Sequence, residues 1–234
     1  QDALLSATDY IEKEMIKGVE RGLFRQADME KALNRIRSTA NLREAAANAD
    51  IVIEAVPENM ELKISVFKEL DEICPPHAIL ATNTSTMSPT EIAAQTKRPE
   101  KVIAMHFFIP AHKMKLIELV RGLETSDETV RIAKEVSARM NKETVEVNEF
   151  PGFVTSRMNC VIGNEAMNML MEGVASAEDI DKAIKLGLNH PMGPLELADL
   201  VGLDVRLRNM EYLHKTLGEK YRPCPLLVKY VKAG

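Results

Sequence analysis

The chain has 234 residues, 45% of them hydrophobic and 28% charged, enough for one large globular domain or two modest ones. Thirty Lys and Arg against thirty-five Asp and Glu leave a net charge of −5, without the basic excess of a general nucleic-acid binder. No apolar run approaches the roughly 20 residues that span a bilayer, so neither membrane nor nucleic acid is an expected partner.

Three isolated cysteines, Cys74, Cys160 and Cys224, show no paired spacing and read as reduced thiols. A cytoplasmic location is therefore expected, or the mitochondrial matrix in a eukaryote. The chain opens on Gln1 in a helical pattern and closes on Ala233-Gly234 just after an apolar run. Both ends read as cut, and a segment of a longer protein is expected.

From residue 4 to 23, Leu4, Ile11, Met15, Val19 and Leu23 fall near helical spacing. Lys13, Lys17 and Arg21 share one face of that helix, either as a solvated stripe or as a holder of phosphates. A short helix is expected over 28–35, with Asp28 as its N-cap. The texture then changes: 51–56, 78–82 and 102–106 are short apolar runs rich in β-branched residues, separated by helical stretches at 60–73 and 88–95. Alternation of apolar strands with helices predicts parallel strands covered on both faces. Two more strands are expected at 115–120 and 144–147, around a helix from 127 to 140. After Pro151-Gly152 only helical patterns remain, at 153–172, 176–186, 194–217 and 225–232. The expectation is an α/β domain over residues 1–148 and an all-α domain over 152–234, joined at 148–152.

Ligands of open α/β sheets sit at the carboxyl ends of the strands. There the chain places Pro57-Glu58-Asn59, Asn83-Thr84-Ser85-Thr86 and His106. A histidine exchanges a proton near neutrality, and Glu118 follows His106 inside the next strand-like segment. If residues 107–114 turn the chain back, Glu118 lies beside His106 and orients its ring. A carboxylate between Ile117 and Leu119 is costly to bury alone, so something must pair with it. Ser85 is a hydroxyl able to donate to a substrate oxygen, or else a turn residue. His77, His190 and His214 are weaker candidates, and no His/Cys/Asp/Glu spacing resembles a metal site.

Several runs together resemble the L-3-hydroxyacyl-CoA dehydrogenase family. They are Ala49-Asp-Ile-Val-Ile-Glu-Ala-Val-Pro-Glu-Asn-Met-Glu-Leu-Lys63, Thr82-Asn-Thr-Ser85, His106-Phe-Phe-Ile-Pro110 with Met114-Lys-Leu-Ile-Glu118, and Pro151-Gly-Phe153. Glu172 to Asp181 and Leu186 to Asp199 resemble its helical domain, so the likeness covers nearly the whole chain in order. It implies a Rossmann-type doubly wound sheet followed by an all-α domain. The activity implied is NAD-dependent interconversion of a 3-hydroxyacyl-CoA and its 3-oxoacyl form. His106 matches the family's catalytic base, Glu118 the carboxylate orienting it, and Ser85 a hydroxyl touching substrate near the nicotinamide. Glu58 and Lys63 match positions lining the cofactor ribose and nicotinamide side, Ser156 stands where the family has a substrate-side Asn, and Lys17 is the cation of the stripe expected to meet the CoA adenylate. The family also implies a homodimer formed through the helical domain.

Departures bear on the substrate. Ile109 replaces the family's Asn after Phe-Phe, Ser156 replaces the later Asn, and Ala111-His112 stands where Val-Pro is usual. An altered acyl group or substrate grip is the expectation. None of the eleven glycines forms Gly-x-Gly, so the family's first βαβ unit, about 30 residues, is expected to precede Gln1. The competing expectations are a dehydrogenase of a free hydroxy acid on the same scaffold, a non-catalytic structural or binding relative, and one part of a multifunctional fatty-acid oxidation protein.

Overall fold

Helix α1 (Asp2–Glu20) carries Lys13 and Lys17 and ends where Gly22 takes a φ of +69°; Arg21 follows directly, its N–H still donating to the Lys17 carbonyl at 3.1 Å. The computed structural model describes residues 2–234; Gln1, where the first expected domain begins, lies outside them. Helix α2 (Gln26–Leu33) starts earlier than expected, with Arg25 at the N-cap. Asp28 is not the cap. Its carboxylate, one turn in, accepts from Arg25 Nε at 2.9 Å and Nη2 at 3.1 Å and faces the positive helix end. Helix α3 (Leu42–Ala46), unforeseen in the sequence, is a single turn capped by Asn41, whose side chain accepts the Glu44 N–H.

Five strands form one sheet in the order β1 (Ile51–Glu54), β2 (Ile79–Thr82), β3 (Val102–Phe107), β4 (Leu116–Arg121) and β5 (Glu143–Asn148). The first three are parallel, β4 runs antiparallel to β3, and β5 is parallel to β4. Helices α4 (Met60–Ile73) and α5 (Pro89–Ala93) cover one face, packing Phe67, Leu70 and Ile92 against Leu80 and Val102. Helix α6 (Asp127–Arg139) covers the other, with Val130 and Ala133 on Ile103, Met105, Ile117 and Leu119. This is the two-sided cover that near-continuous apolar strands require.

The amino ends of the strands are stapled by polar contacts. Arg98 Nε donates to Asp71 at 2.7 Å, while its Nη atoms donate to the Pro75 and Asp71 carbonyls at 2.5 and 2.7 Å. Thr125 Oγ1 donates to the Val102 carbonyl at 2.6 Å, and Thr129 Oγ1 to that of Glu100 at 2.8 Å.

Beyond Pro151 the chain is helical: α7 (Thr155–Met171), α8 (Ala177–Gly187), α9 (Pro194–Val201), α10 (Leu203–Leu217) and α11 (Pro225–Ala233). The single helix expected over 194–217 is two, broken where Gly202 adopts a φ of +97° that side-chain-bearing residues avoid. The first turn of α9 is held by Asp181 of α8, which accepts the Leu195 and Glu196 N–H groups at 2.8 Å each. Ile180, Ala198, Met210, Leu213 and Leu227 fill the centre of this array. Among the described residues no helix is long and apolar enough to cross a membrane.

Candidate active site

His106 and Glu118 face each other directly across the antiparallel β3–β4 pair. They meet because residues 108–114 reverse the chain. The Pro110 carbonyl accepts from the Lys113 and Met114 N–H groups at 2.9 and 3.1 Å, and the Lys142 ammonium donates to the Ala111 and Met114 carbonyls at 2.5 Å each. His106 Nδ1 lies 2.7 Å from Glu118 Oε2. Its ring is 6% exposed and sits against Phe108 and Phe153, with centroids at 4.7 and 5.9 Å. No hydrogen bond among the described residues engages Nε2.

Glu118 is 0% exposed, so its charge needs donors. Besides His106 it receives the Thr155 N–H on Oε1 at 3.0 Å and the Thr155 hydroxyl on Oε2 at 2.8 Å. Burial pushes its carboxyl up. The hydrogen bonds from His106 and Thr155, helped by the His106 charge, outweigh that and hold it below the ordinary 4.5.

Ser85 is half-buried in the turn leaving β2, and its N–H donates to Glu58 Oε1 at 2.6 Å while its hydroxyl has no partner among the described residues. Glu58 also accepts from Thr84 Oγ1 at 2.9 Å, which binds the end of β1 to the turn after β2. Lys63 is 1% exposed; its ammonium lies 2.9 Å from Glu54, 3.2 Å from the Val56 carbonyl and 3.4 Å from Glu58. The structure therefore brings Ser85, Glu58 and Lys63 together at the carboxyl ends of β1 and β2. Ser156 lies beside Thr155 in the first turn of α7 and is half-buried. Lys17 is on α1, paired with Glu14 at 2.6 Å; Glu14 also meets His112, in the loop after β3, at 3.1 Å.

Two residues of the site escaped the sequence reading. Asn83 Oδ1 accepts the Phe107 N–H at 2.8 Å and so ties the end of β2 to that of β3. Thr155 holds Glu118. The available signal was the unpaired carboxylate expected at Glu118, which demands donors, and a hydroxyl in the first helical turn after Pro151-Gly152 is able to supply one.

The donor set fits the nicotinamide-ribose end of a dinucleotide. Two carboxylates and one lysine leave a net negative cluster at the strand ends, suited to hydroxyl donors and a cationic ring and unsuited to phosphate. A Gly-x-Gly turn, the usual seat of the pyrophosphate, is not among these residues.

Residues 1–150 match the NAD-binding domain of 3-hydroxyacyl-CoA dehydrogenase, and residues 152–234 match its C-terminal domain. A probable 3-hydroxybutyryl-CoA dehydrogenase of Bacillus subtilis is 53% identical over 96% of this chain and 78% of its own length. A 3-hydroxybutyryl-CoA dehydrogenase of Clostridioides difficile is 47% identical over 100% of this chain and 83% of its own. The crystal structure of an (S)-3-hydroxybutyryl-CoA dehydrogenase from Ralstonia eutropha superposes with a TM-score of 0.94 at 41% identity, covering 100% of this chain and 83% of that one. With a Rossmann-type sheet, a helical C-terminal array and both family domains in order, the chain belongs to the 3-hydroxyacyl-CoA dehydrogenase family, whose NAD-dependent interconversion of 3-hydroxyacyl-CoA and 3-oxoacyl-CoA is its activity.

Proposed function

We propose that His106 is the proton-transferring group of this dehydrogenase and Glu118 the carboxylate that orients it. The carrying observation is the buried Nδ1–Oε2 contact of 2.7 Å. With Nδ1 donating to Glu118, Nε2 is left as the lone-pair nitrogen. It takes the proton of the substrate 3-hydroxyl as the C3–O bond becomes a carbonyl, and returns it in the reductive direction. Bound NAD supplies the acceptor for the hydride of C3. The ionised Glu118 stabilises the imidazolium so formed.

Ser85, whose hydroxyl is unengaged, donates to the C3 oxygen, and Ser156 in the first turn of α7 makes a second substrate contact. Glu58 accepts from the cofactor ribose, while Lys63, spent on Glu54, Val56 and Glu58, fixes that carboxylate from beneath. Lys17, with His112 and Lys113 around Glu14, offers positive charge to the phosphates of CoA. The acyl chain is short, as the names of the relatives say of theirs. Exposed Leu186, Leu188 and Leu200 on the helical array support a homodimer through that array. The bacterial relatives and the buried free thiols support a cytoplasmic enzyme of fatty-acid metabolism.

The test is NADH absorbance at steady state, with the full-length protein and acetoacetyl-CoA beside free acetoacetate. Oxidation with the thioester alone is expected. Equal rates with the free acid would remove the role given to Lys17, and silence with both would remove the proposal. Light scattering that returns a monomer mass would remove the dimer.

A further inference from the structure

We infer that Thr155 is a positioning residue for the His106–Glu118 pair, and that through it the first turn of α7 holds the pair in reactive alignment. This rests on His106 as the proton-transferring group and extends that reading to a side chain outside the dyad.

A carboxylate has about four lone-pair sites, and Glu118, buried in β4, fills three of them. Two of the three donors come from Thr155, its N–H on one oxygen and its hydroxyl on the other. A carboxylate gripped on both oxygens cannot rotate, so Oε2 stays aimed at His106 Nδ1. The N–H is one of the free donors that open a 17-residue helix, and there the helix dipole also favours negative charge. No Lys or Arg among the described residues pairs with Glu118, and His106 is the one titratable group acting on it. The nature of the donors matters here. An arginine would compete with His106 for Oε2 and cancel its charge, whereas a hydroxyl and an amide fix the carboxylate and leave its charge to the imidazolium. The sheet thus supplies both members of the pair and the helical array supplies the clamp.

The experiment compares wild type, Thr155→Val and Thr155→Ser in the full-length enzyme. Steady-state kcat and KM are measured for oxidation of a 3-hydroxyacyl-CoA across the pH profile, with thermal melting alongside. Thr155→Val keeps the N–H and the shape but deletes the hydroxyl. We expect kcat to fall roughly tenfold, the size of one hydrogen bond to a charged group, with KM unchanged. A carboxylate that loses a donor becomes a stronger acceptor for the imidazolium, so the acid limb of kcat/KM moves to higher pH. Thr155→Ser restores both. If Thr155→Val lowers the melting temperature and kcat together while the acid limb stays in place, Thr155 is only structural and the inference falls. It falls equally if kcat and the acid limb both match wild type. Either result leaves wild-type turnover and its dependence on His106 intact, whereas a silent wild type removes the proposed function itself.

Discussion

Replacing His106 by glutamine is expected to lower turnover by about 10²- to 10⁴-fold while the protein still melts cooperatively near the wild-type temperature. A glutamine amide, though one bond longer than the Cγ–Nδ1 arm, still carries N–H groups able to donate to Glu118 Oε2, so the buried carboxylate is not stripped of a donor type. What glutamine cannot do is accept a proton near neutrality. His106→Ala differs in a way that can be measured. It removes the donor as well and leaves an aromatic-sized gap between Phe108 and Phe153, so it loses stability in addition to activity. Steady-state NADH absorbance and thermal melting on both variants separate the two effects. Turnover within tenfold of wild type in His106→Gln would place the proton transfer elsewhere.

Replacing Glu118 by glutamine is expected to cost activity by about 10²-fold for a different reason. A glutamine amide can turn its NH₂ toward Nδ1, which moves the ring proton to Nε2 and occupies the atom that must accept the substrate proton. The same variant carries a signature in acid. The folded carboxyl lies below its ordinary 4.5, so its ionised form contributes stability that is fully present above that pH and is lost as pH falls through the lower folded value. Glutamine has no such contribution to lose. The stability gap between wild type and Glu118→Gln should therefore narrow as pH falls below 4.5. Urea melts at a series of pH values read this directly, and a gap that widened as pH fell below 4.5 would mean that the donors around Glu118 do not stabilise its charge.

The alternation of short apolar strands with helical patterns was enough to foresee a two-sided sheet, because burial on both faces leaves its mark along the whole of β2 and nearly all of β3. The pairing of His106 with Glu118 was also foreseeable, since a carboxylate between Ile117 and Leu119 requires a partner and the spacing admits a reversal. What escaped was set by contacts remote in sequence. Thr155 reaches Glu118 across 37 residues, and nothing local in Val154-Thr155-Ser156 marks its hydroxyl as more than a surface group. Local competition caused other departures. Asp28 would cap a helix if Arg25 did not draw its carboxylate into the first turn. The apolar run through Leu200, Val201 and Leu203 conceals a break that only the backbone at Gly202 reveals.

The staple at the amino ends of the strands has a consequence for how this protein tolerates change. Arg98 and Asp71 lock the sheet from below with contacts of 2.5–2.7 Å, whereas the upper end carries a Ser85 hydroxyl and a His106 ring nitrogen without partners among the described residues, and Ile109 at 90% exposure. Robustness and chemistry thus draw on opposite edges of one sheet. Exchanges in the exposed loops of the upper end, such as Ile109 for an amide, carry little penalty in folding. Loss of Arg98 would do the reverse, unfolding a site whose own residues were untouched. A chain built this way can vary at its rim while its foundation stays constant, which is the latitude that a trade-off between stability and activity ordinarily restricts.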